Sequence, residues 1–123
     1  MALKLNIKAS GAVLLTDELR SFVEEKMQKL AKILDPADTA ALAEIEVESV
    51  SQSRNGDSFR AEINIAFTGG FAHAEATRET LHAAIDEAIA EAKREVKKAR
   101  TKHRDLVRRG AAKVKDFFRR FKS

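Results

Sequence analysis

The chain has no cysteine, no tryptophan and no tyrosine among its 123 residues. The absence of cysteine excludes disulfide bonds, thiolate metal ligands and cysteine nucleophiles, and it agrees with a reducing compartment. The absence of tryptophan and tyrosine means that the sheet lacks the stacking aromatics of a platform for single-stranded nucleic acid. These absences narrow the possible functions before any motif is considered.

Long apolar runs are missing as well. No run approaches the roughly 18 residues that a membrane-spanning helix needs, and the opening residues MALKLNIKAS are too few and too polar for a secretory signal. We therefore expect a cytoplasmic protein that does not enter a membrane. The length suits one domain, and a hydrophobic fraction of 44% is enough for a modest core.

Positive charge is concentrated towards the C-terminus. Residues 93–123 contain 14 Lys or Arg and 3 Asp or Glu, which gives a net charge of +11. Residues 1–92 contain 9 Lys or Arg and 16 Asp or Glu, which gives −7 and leaves the whole chain at +4. Such asymmetry indicates a polyanionic partner for the basic segment, either a nucleic acid or an anionic membrane.

Alternating apolar and polar residues predict four strands. The predicted strands span residues 3–9, 44–48, 59–67 and 71–76. Turns are predicted between the last three strands, at Asn55-Gly56 and at Gly69-Gly70.

Two longer stretches have helical spacing of apolar residues. The first helix is predicted to begin after Thr16 as its N-cap and to end before Asp35-Pro36. The second has Thr77 as its predicted N-cap and an apolar stripe from Leu81 to Ala99. The order therefore predicts an α+β fold, β-α-β-β-β-α, with a four-stranded sheet. Because one sheet face is apolar and the other polar, both helices should pack on a single face.

No catalytic or metal-binding constellation is evident, so we expect no enzyme activity, no cofactor and no small-molecule substrate. His73 and His82 could be neighbours, but a metal site between them would lack further ligands. Asp86 and Glu87 are adjacent on a helix and point in different directions, so they form no acid–base pair.

RNA contact has better support in the residues themselves. Cations at the end of the last helix, together with Lys4 and Lys8 on the first strand, would form one continuous patch. Phosphate neutralisation by such a patch gives affinity without readout of a base sequence. We expect a protein that binds the shape and backbone of folded RNA, with the acidic residues Glu44, Glu46 and Glu48 facing solvent or basic proteins.

Three stretches of the chain share an order and spacing with a known family. They are LKLNIKA followed by LTDELRSFVEEKMQKLAKIL, then FAHAEATRETLHAAIDEAI, and finally AKREVKKARTKHRD. Over roughly residues 2–105 the chain resembles the short ribosome hibernation promoting factors, also called ribosome-associated inhibitors. Many relatives have a basic or aromatic pair just after the first strand, where this chain has Ser10-Gly11-Ala12, so contacts from that loop are not carried over.

The resemblance implies a fold similar to double-stranded-RNA-binding domains and a function on the ribosome. The protein would bind the small ribosomal subunit, with its 16S-type rRNA and ribosomal proteins, in the channel for messenger and transfer RNA. It would inhibit translation by occlusion under stress or in stationary phase, and would be a monomer off the ribosome. The cations that match the family, and that would contact rRNA phosphates, are Lys4, Lys8, Lys93, Arg94, Lys97, Lys98, Arg100 and Lys102.

The sequence divides into a ribosome-binding domain, residues 1–104, and a basic amphipathic C-terminal tail, residues 105–123. Gly110 is expected to interrupt the helical pattern, after which Val114, Phe117, Phe118 and Phe121 fall at helical spacing among cations. This tail is too short to be the extra dimerisation domain of long family members. It could order only on binding, dock onto RNA or a ribosomal protein, or lie on anionic lipid.

A second class of function stays open beside the ribosome inhibitor. The acidic face of the second strand would repel RNA, and it suits a protein-interaction module that regulates a transcription factor or another protein partner.

Overall fold

The computed structural model describes residues 4–34, 41–50 and 58–121, and of residues 103 and 105–121 only the backbone. Its elements are β1 (Lys4–Ser10), α1 (Asp17–Ala31), β2 (Leu42–Ser49), β3 (Phe59–Phe67), β4 (Gly70–Arg78) and α2 (Leu81–Phe121). This order confirms the predicted α+β fold. The predicted turn at Asn55-Gly56 and the predicted helix stop at Asp35-Pro36 lie outside the described residues.

The four strands form one mixed sheet in the order β1-β2-β3-β4. β1 pairs with β2 in parallel, while β2 with β3 and β3 with β4 are antiparallel. Alternate side chains of every strand enter a single core with the apolar stripes of α1 and α2, so both helices pack on the same sheet face as predicted. The largest fully buried side chains are Val23, Met27, Leu30, Ile45, Val47, Ile63, Ile65, Ile85 and Val96.

The turn after β1 has a structural reason for its small residues. Gly11 has a φ of +65°, a left-handed conformation that costs glycine little. The next amide, of Ala12, donates a hydrogen bond to Ser49 Oγ at 2.9 Å, which ties this turn to the end of β2. A Cβ on Gly11 would lie 2.6 Å from that same Oγ, so no larger side chain fits without movement.

The helix starts were predicted with mixed success. Thr16 caps α1 as expected, because its side chain accepts a hydrogen bond from the Leu19 amide at 3.1 Å. Thr77 was the wrong cap for α2, since β4 continues through it and pairs it with Arg60 of β3. Thr80 has the capping role instead, with its hydroxyl accepting from the Ala83 amide at 3.1 Å. Pairing with the nine-residue strand β3 therefore extends β4 through Thr77, and α2 begins after Thr80 instead of after Thr77.

Helix α2 is much longer than the sheet that it covers. It runs back along β4, so that Ala99 lies against Gly70, where an added Cβ would be 3.3 Å from the alanine methyl group. The helix then continues through Gly110, where an interruption was predicted, to Phe121. At 1.5 Å per residue, residues 101–121 add about 30 Å of helix beyond this contact. The boundary between a domain and a tail at residue 105 stays a prediction.

We expect Met27→Ala to destabilise the fold by about 2 to 5 kcal/mol, because this fully buried side chain fills the space between α1 and the sheet. Urea unfolding followed by circular dichroism measures the change. Gln28→Ala, an exposed neighbour on the same helix, is the control and should stay within about 0.5 kcal/mol of the parent. Equal losses in both variants would contradict the core described here.

Candidate nucleic-acid interface

The two helices lie side by side in the same direction, and three contacts connect them. At the N-terminal end, the Phe22 ring meets the His82 ring edge-to-face, with centroids 4.3 Å apart. One turn further along, Lys26 Nζ lies 3.4 Å from Asp86 Oδ1. At the other end, the Arg100 guanidinium donates a hydrogen bond to the carbonyl oxygen of Ile33.

An open groove of about 340 Å³ lies between the helices. Its lining is dominated by cations from both walls, with Lys26 and Lys29 on α1 and Lys93, Arg94 and Lys97 on α2. Asp86, Ile89 and Ala90 complete the lining. Five cations and one carboxylate therefore face a single concave surface, which is the arrangement expected of a site for a polyanion.

Three of the groove lysines are available to an external anion. Lys29, Lys93 and Lys97 have no ion-pair partner within 4 Å among the residues with described side chains. Lys26 pairs with Asp86 and also lies over the Phe22 ring, 5.5 Å from its centroid. The free lysines thus form the strongest part of the anion site, while Lys26 is held at its edge.

Arg94 lines the groove and also pairs with two glutamates of its own helix, Glu87 and Glu91. Its Nε donates to Glu91 Oε2 at 3.2 Å, and its guanidinium lies 3.9 Å from Glu87. The hydrogen bond from Arg94 lowers the pKa of Glu91, and the same bond raises the pKa of Arg94. Arg94 is consequently a permanent cation, but one whose charge is partly neutralised within the protein.

The other predicted cations of α2 are differently placed. Lys98 lies 3.4 Å from Glu95 and, at 100° per residue, points to the flank of the helix away from α1. Lys102 follows one turn later on that flank and is exposed. Arg100 faces α1, where its bond to Ile33 anchors the point at which α2 leaves the sheet. Sequence periodicity alone did not show that Lys98 pairs with Glu95, that Lys102 is exposed on the same flank, or that Arg100 faces α1.

The prediction of one continuous patch with Lys4 and Lys8 is wrong. Both lysines are exposed on β1, whereas the intervening Leu5, Ile7 and Ala9 pack against the core. Since the helices cover the core side of the sheet, Lys4 and Lys8 lie on the opposite, open face. The sheet itself separates them from the groove, so whether they contact RNA stays a prediction independent of the groove.

The open face is mainly acidic, with one arginine near the start of β3. Arg60 contacts three glutamates, Glu48 at 3.3 Å, Glu62 at 2.7 Å and also Glu75. The hydrogen bond from Arg60 lowers the pKa of Glu62, and a weaker bond from Asn64 acts in the same direction. This network spans β2, β3 and β4 and holds the polar side of the sheet together.

The two histidines considered above lie on different sides of the molecule. His73 Nδ1 lies 2.7 Å from Asn64 Oδ1 on the open face, whereas His82 packs against Phe22 on the helical side. The idea that they are neighbours is therefore wrong. Among the residues with described side chains, no group of three His, Asp or Glu could hold a metal ion. The described helices include none that is long and apolar enough to cross a membrane.

Lys26 and Lys29 are the groove residues that sequence reasoning missed. They are spaced i, i+3 on α1, beside the buried stripe that contains Met27 and Leu30. That spacing places both cations on the flank next to the core, which was a usable signal. Recognising it required knowing that α2 would pack along this flank.

The comparison with known protein families identifies the chain. A sequence model of the family described as Sigma 54 modulation protein / S30EA ribosomal protein matches residues 6–104. The chain belongs to this family. This match confirms the resemblance to the ribosome hibernation factors that the sequence stretches indicated. No curated protein matches the chain.

Two solved structures have a similar fold. The N-terminal domain of Protein Y from Thermus thermophilus is 25% identical with a TM-score of 0.65, and the match covers 77% of this chain and 97% of that domain. A ribosomal subunit interface protein from Coxiella burnetii is 14% identical with a TM-score of 0.60, covering 80% and 98% respectively. The second likeness supports the architecture alone.

The Arg60 network leads to a pH-dependent prediction. Because the pKa of Glu62 is lower in the folded than in the unfolded chain, the network stabilises the fold above the unfolded pKa of about 4.3. That contribution is lost as the pH falls through the folded pKa. Arg60→Ala should cost about 1 kcal/mol or less at pH 7, because the groups are partly solvent-exposed.

Urea unfolding of the parent and Arg60→Ala, repeated between pH 7 and pH 3, measures this dependence. The difference between the two proteins should shrink below about pH 4. A difference that stays constant over the whole range would contradict the assigned role of Arg60.

Proposed function

We propose that the protein is a ribosome hibernation factor that binds the small ribosomal subunit in the mRNA and tRNA channel and inhibits translation. The description of the chain's family includes a ribosomal protein, which supports the ribosome as partner. The groove between α1 and α2 supports rRNA as the main contact, because it gathers cations from both helices on one concave surface. This groove is the observation on which the proposal depends.

The chemistry of the groove suits a phosphate backbone better than a base sequence. Lysine ammonium groups bind phosphates as point charges and release counterions, which gives affinity that falls steeply with salt. Among the described side chains, the groove contains no aromatic ring for stacking on bases. We therefore propose recognition of rRNA shape, with Lys29, Lys93 and Lys97 as the leading phosphate contacts.

The proposed mechanism is steric and needs no chemical step. A protein held by rRNA phosphates in the channel would exclude messenger and transfer RNA for as long as it stays bound. Under this proposal the protein acts in the cytoplasm, under stress or in stationary phase, without enzymatic activity or cofactor, and is a monomer off the ribosome. Lys98 and Lys102 would add contacts from the other flank of α2, and Arg100 would act mainly by fixing the helix.

Combined substitution of Lys29, Lys93 and Lys97 by alanine should weaken binding to small subunits and flatten its salt dependence. Three lost phosphate contacts should reduce the slope of log K against log salt by roughly 2 to 3. Co-sedimentation with purified subunits at several salt concentrations measures both quantities. The variant should remain folded, because none of the three side chains belongs to the buried core and surface changes usually cost within about 0.5 kcal/mol each.

Lys4→Ala combined with Lys8→Ala is the control on the opposite sheet face. We expect a smaller change of the slope, since these lysines lie on the sheet face away from the groove. An unchanged slope in the groove variant would show that the groove does not bind RNA. Equal effects in both variants would show that the open face contacts RNA as well.

Addition of the purified protein to a translation extract should lower protein synthesis, and the groove variant should inhibit less at equal concentration. Normal synthesis at a protein concentration that saturates the ribosomes would contradict inhibition. The alternative, a module that regulates a protein partner, predicts a complex with that partner that survives nuclease digestion in a pull-down without ribosomes.

A further inference from the structure

The strand register arranges the open face in rows across the sheet. Apart from Lys4 at its β1 end, the row nearest the β3–β4 turn is apolar, because Leu42 of β2 pairs with Ala66 of β3, and Ala66 pairs with Phe71 of β4. Phe71 is 61% exposed, and Ala66 is exposed beside it. A large aromatic side chain is thus displayed to solvent on a sheet whose other face forms the core.

The next two rows contain glutamates on β2 to β4, while β1 contributes Asn6 to the first of them and Lys8, beside Glu46, to the second. Glu44 pairs with Asn64, and Glu46 pairs with Glu62 in the following row. Arg60 pairs with Glu62, Glu48 and Glu75, which leaves this cluster net negative, and it has no contact with Glu44 or Glu46. Both of these carboxylates are exposed and have no ion-pair partner within 4 Å among the described residues, and Glu46 receives only a long bond of 3.5 Å from the Ser10 hydroxyl.

An exposed aromatic ring beside these two carboxylates indicates which kind of partner could bind this face. RNA and anionic lipid are disfavoured, since their phosphates would meet five glutamates against the three cations Lys4, Lys8 and Arg60. A wholly apolar partner would desolvate Glu44 and Glu46 without compensating them. A lysine- or arginine-rich polypeptide segment fits, because its cations can pair with the two carboxylates while an apolar or cationic side chain packs on the Phe71 ring.

We propose that the open sheet face is a docking surface for a basic polypeptide segment that carries an apolar side chain, with Phe71 as the anchor and Glu44 and Glu46 as the charge partners. The surface lies across the sheet from the groove, so both can be occupied together. Within the proposed function, which this step assumes, the segment belongs to a ribosomal protein and fixes which side of the bound protein faces away from rRNA.

A photo-crosslinking amino acid at position 71 tests this orientation in the ribosome complex of the full chain. After irradiation and nuclease digestion, the expected product is a crosslink to a ribosomal protein within a lysine- or arginine-rich stretch. The same crosslinker at position 97, in the groove, should instead yield a crosslink to rRNA. A crosslink from position 71 to rRNA, or none from position 71 when position 97 reacts, would overturn the proposal.

Binding of a defined peptide tests the surface without the ribosome. The probe is a twelve-residue peptide of alternating lysine and leucine, and its glutamate–leucine counterpart measures non-specific apolar binding. Glu44→Gln combined with Glu46→Gln should weaken binding of the lysine peptide by roughly two- to thirtyfold, as expected from two exposed ion pairs. Phe71→Ala should weaken it as well.

The matched control removes the same charge elsewhere. Glu24→Gln combined with Glu25→Gln alters two exposed carboxylates of α1 and should leave peptide affinity within about twofold of the parent. An equal loss in this control would show general attraction between opposite charges and would overturn a defined surface. Failure of the proposed function can be distinguished from failure of this surface. In that case the protein would not co-sediment with ribosomes, although it would still bind the lysine peptide.

Discussion

The burial of one sheet face under two neighbouring helices is the constraint on which the other features depend. Every strand contributes alternate apolar side chains to that face, and α1 and α2 must both cover it to exclude water from the core. Two helices that share one sheet face have to touch along a common flank. That packing turns cations more than sixty residues apart in sequence into the two walls of one groove.

The same constraint separates charge across the thickness of the sheet. Cations border the core on the helical side, whereas glutamates occupy the solvent side of the strands around Arg60. The groove lining is net positive, whereas the open face is net negative, with five glutamates against Lys4, Lys8 and Arg60. For a factor held within a ribosome, such polarity would set orientation as well as affinity, because a reversed molecule would place glutamates against phosphates.

Much of the architecture was predictable from local patterns. The period of two in the strands, the helical stripe of α1 and the cap at Thr16 all agree with the structure. The errors came from competition between elements. Thr77 has the side chain of a good cap, but pairing with β3 extends β4 through it. Gly110 lowers helix propensity by about 1 kcal/mol, which does not end a helix of 41 residues.

The sequence by itself determined the element order, the apolar faces and the concentration of positive charge, because these follow from residue type and period. Tertiary structure alone decided which cations share a surface. It placed Lys26 and Lys29 opposite Lys93 and Lys97, and it moved Lys4 and Lys8 to the other side of the sheet. Periodicity assigns a side chain to a face of its own element, but neighbours across elements are set by packing, which depends on contacts between residues far apart in the chain.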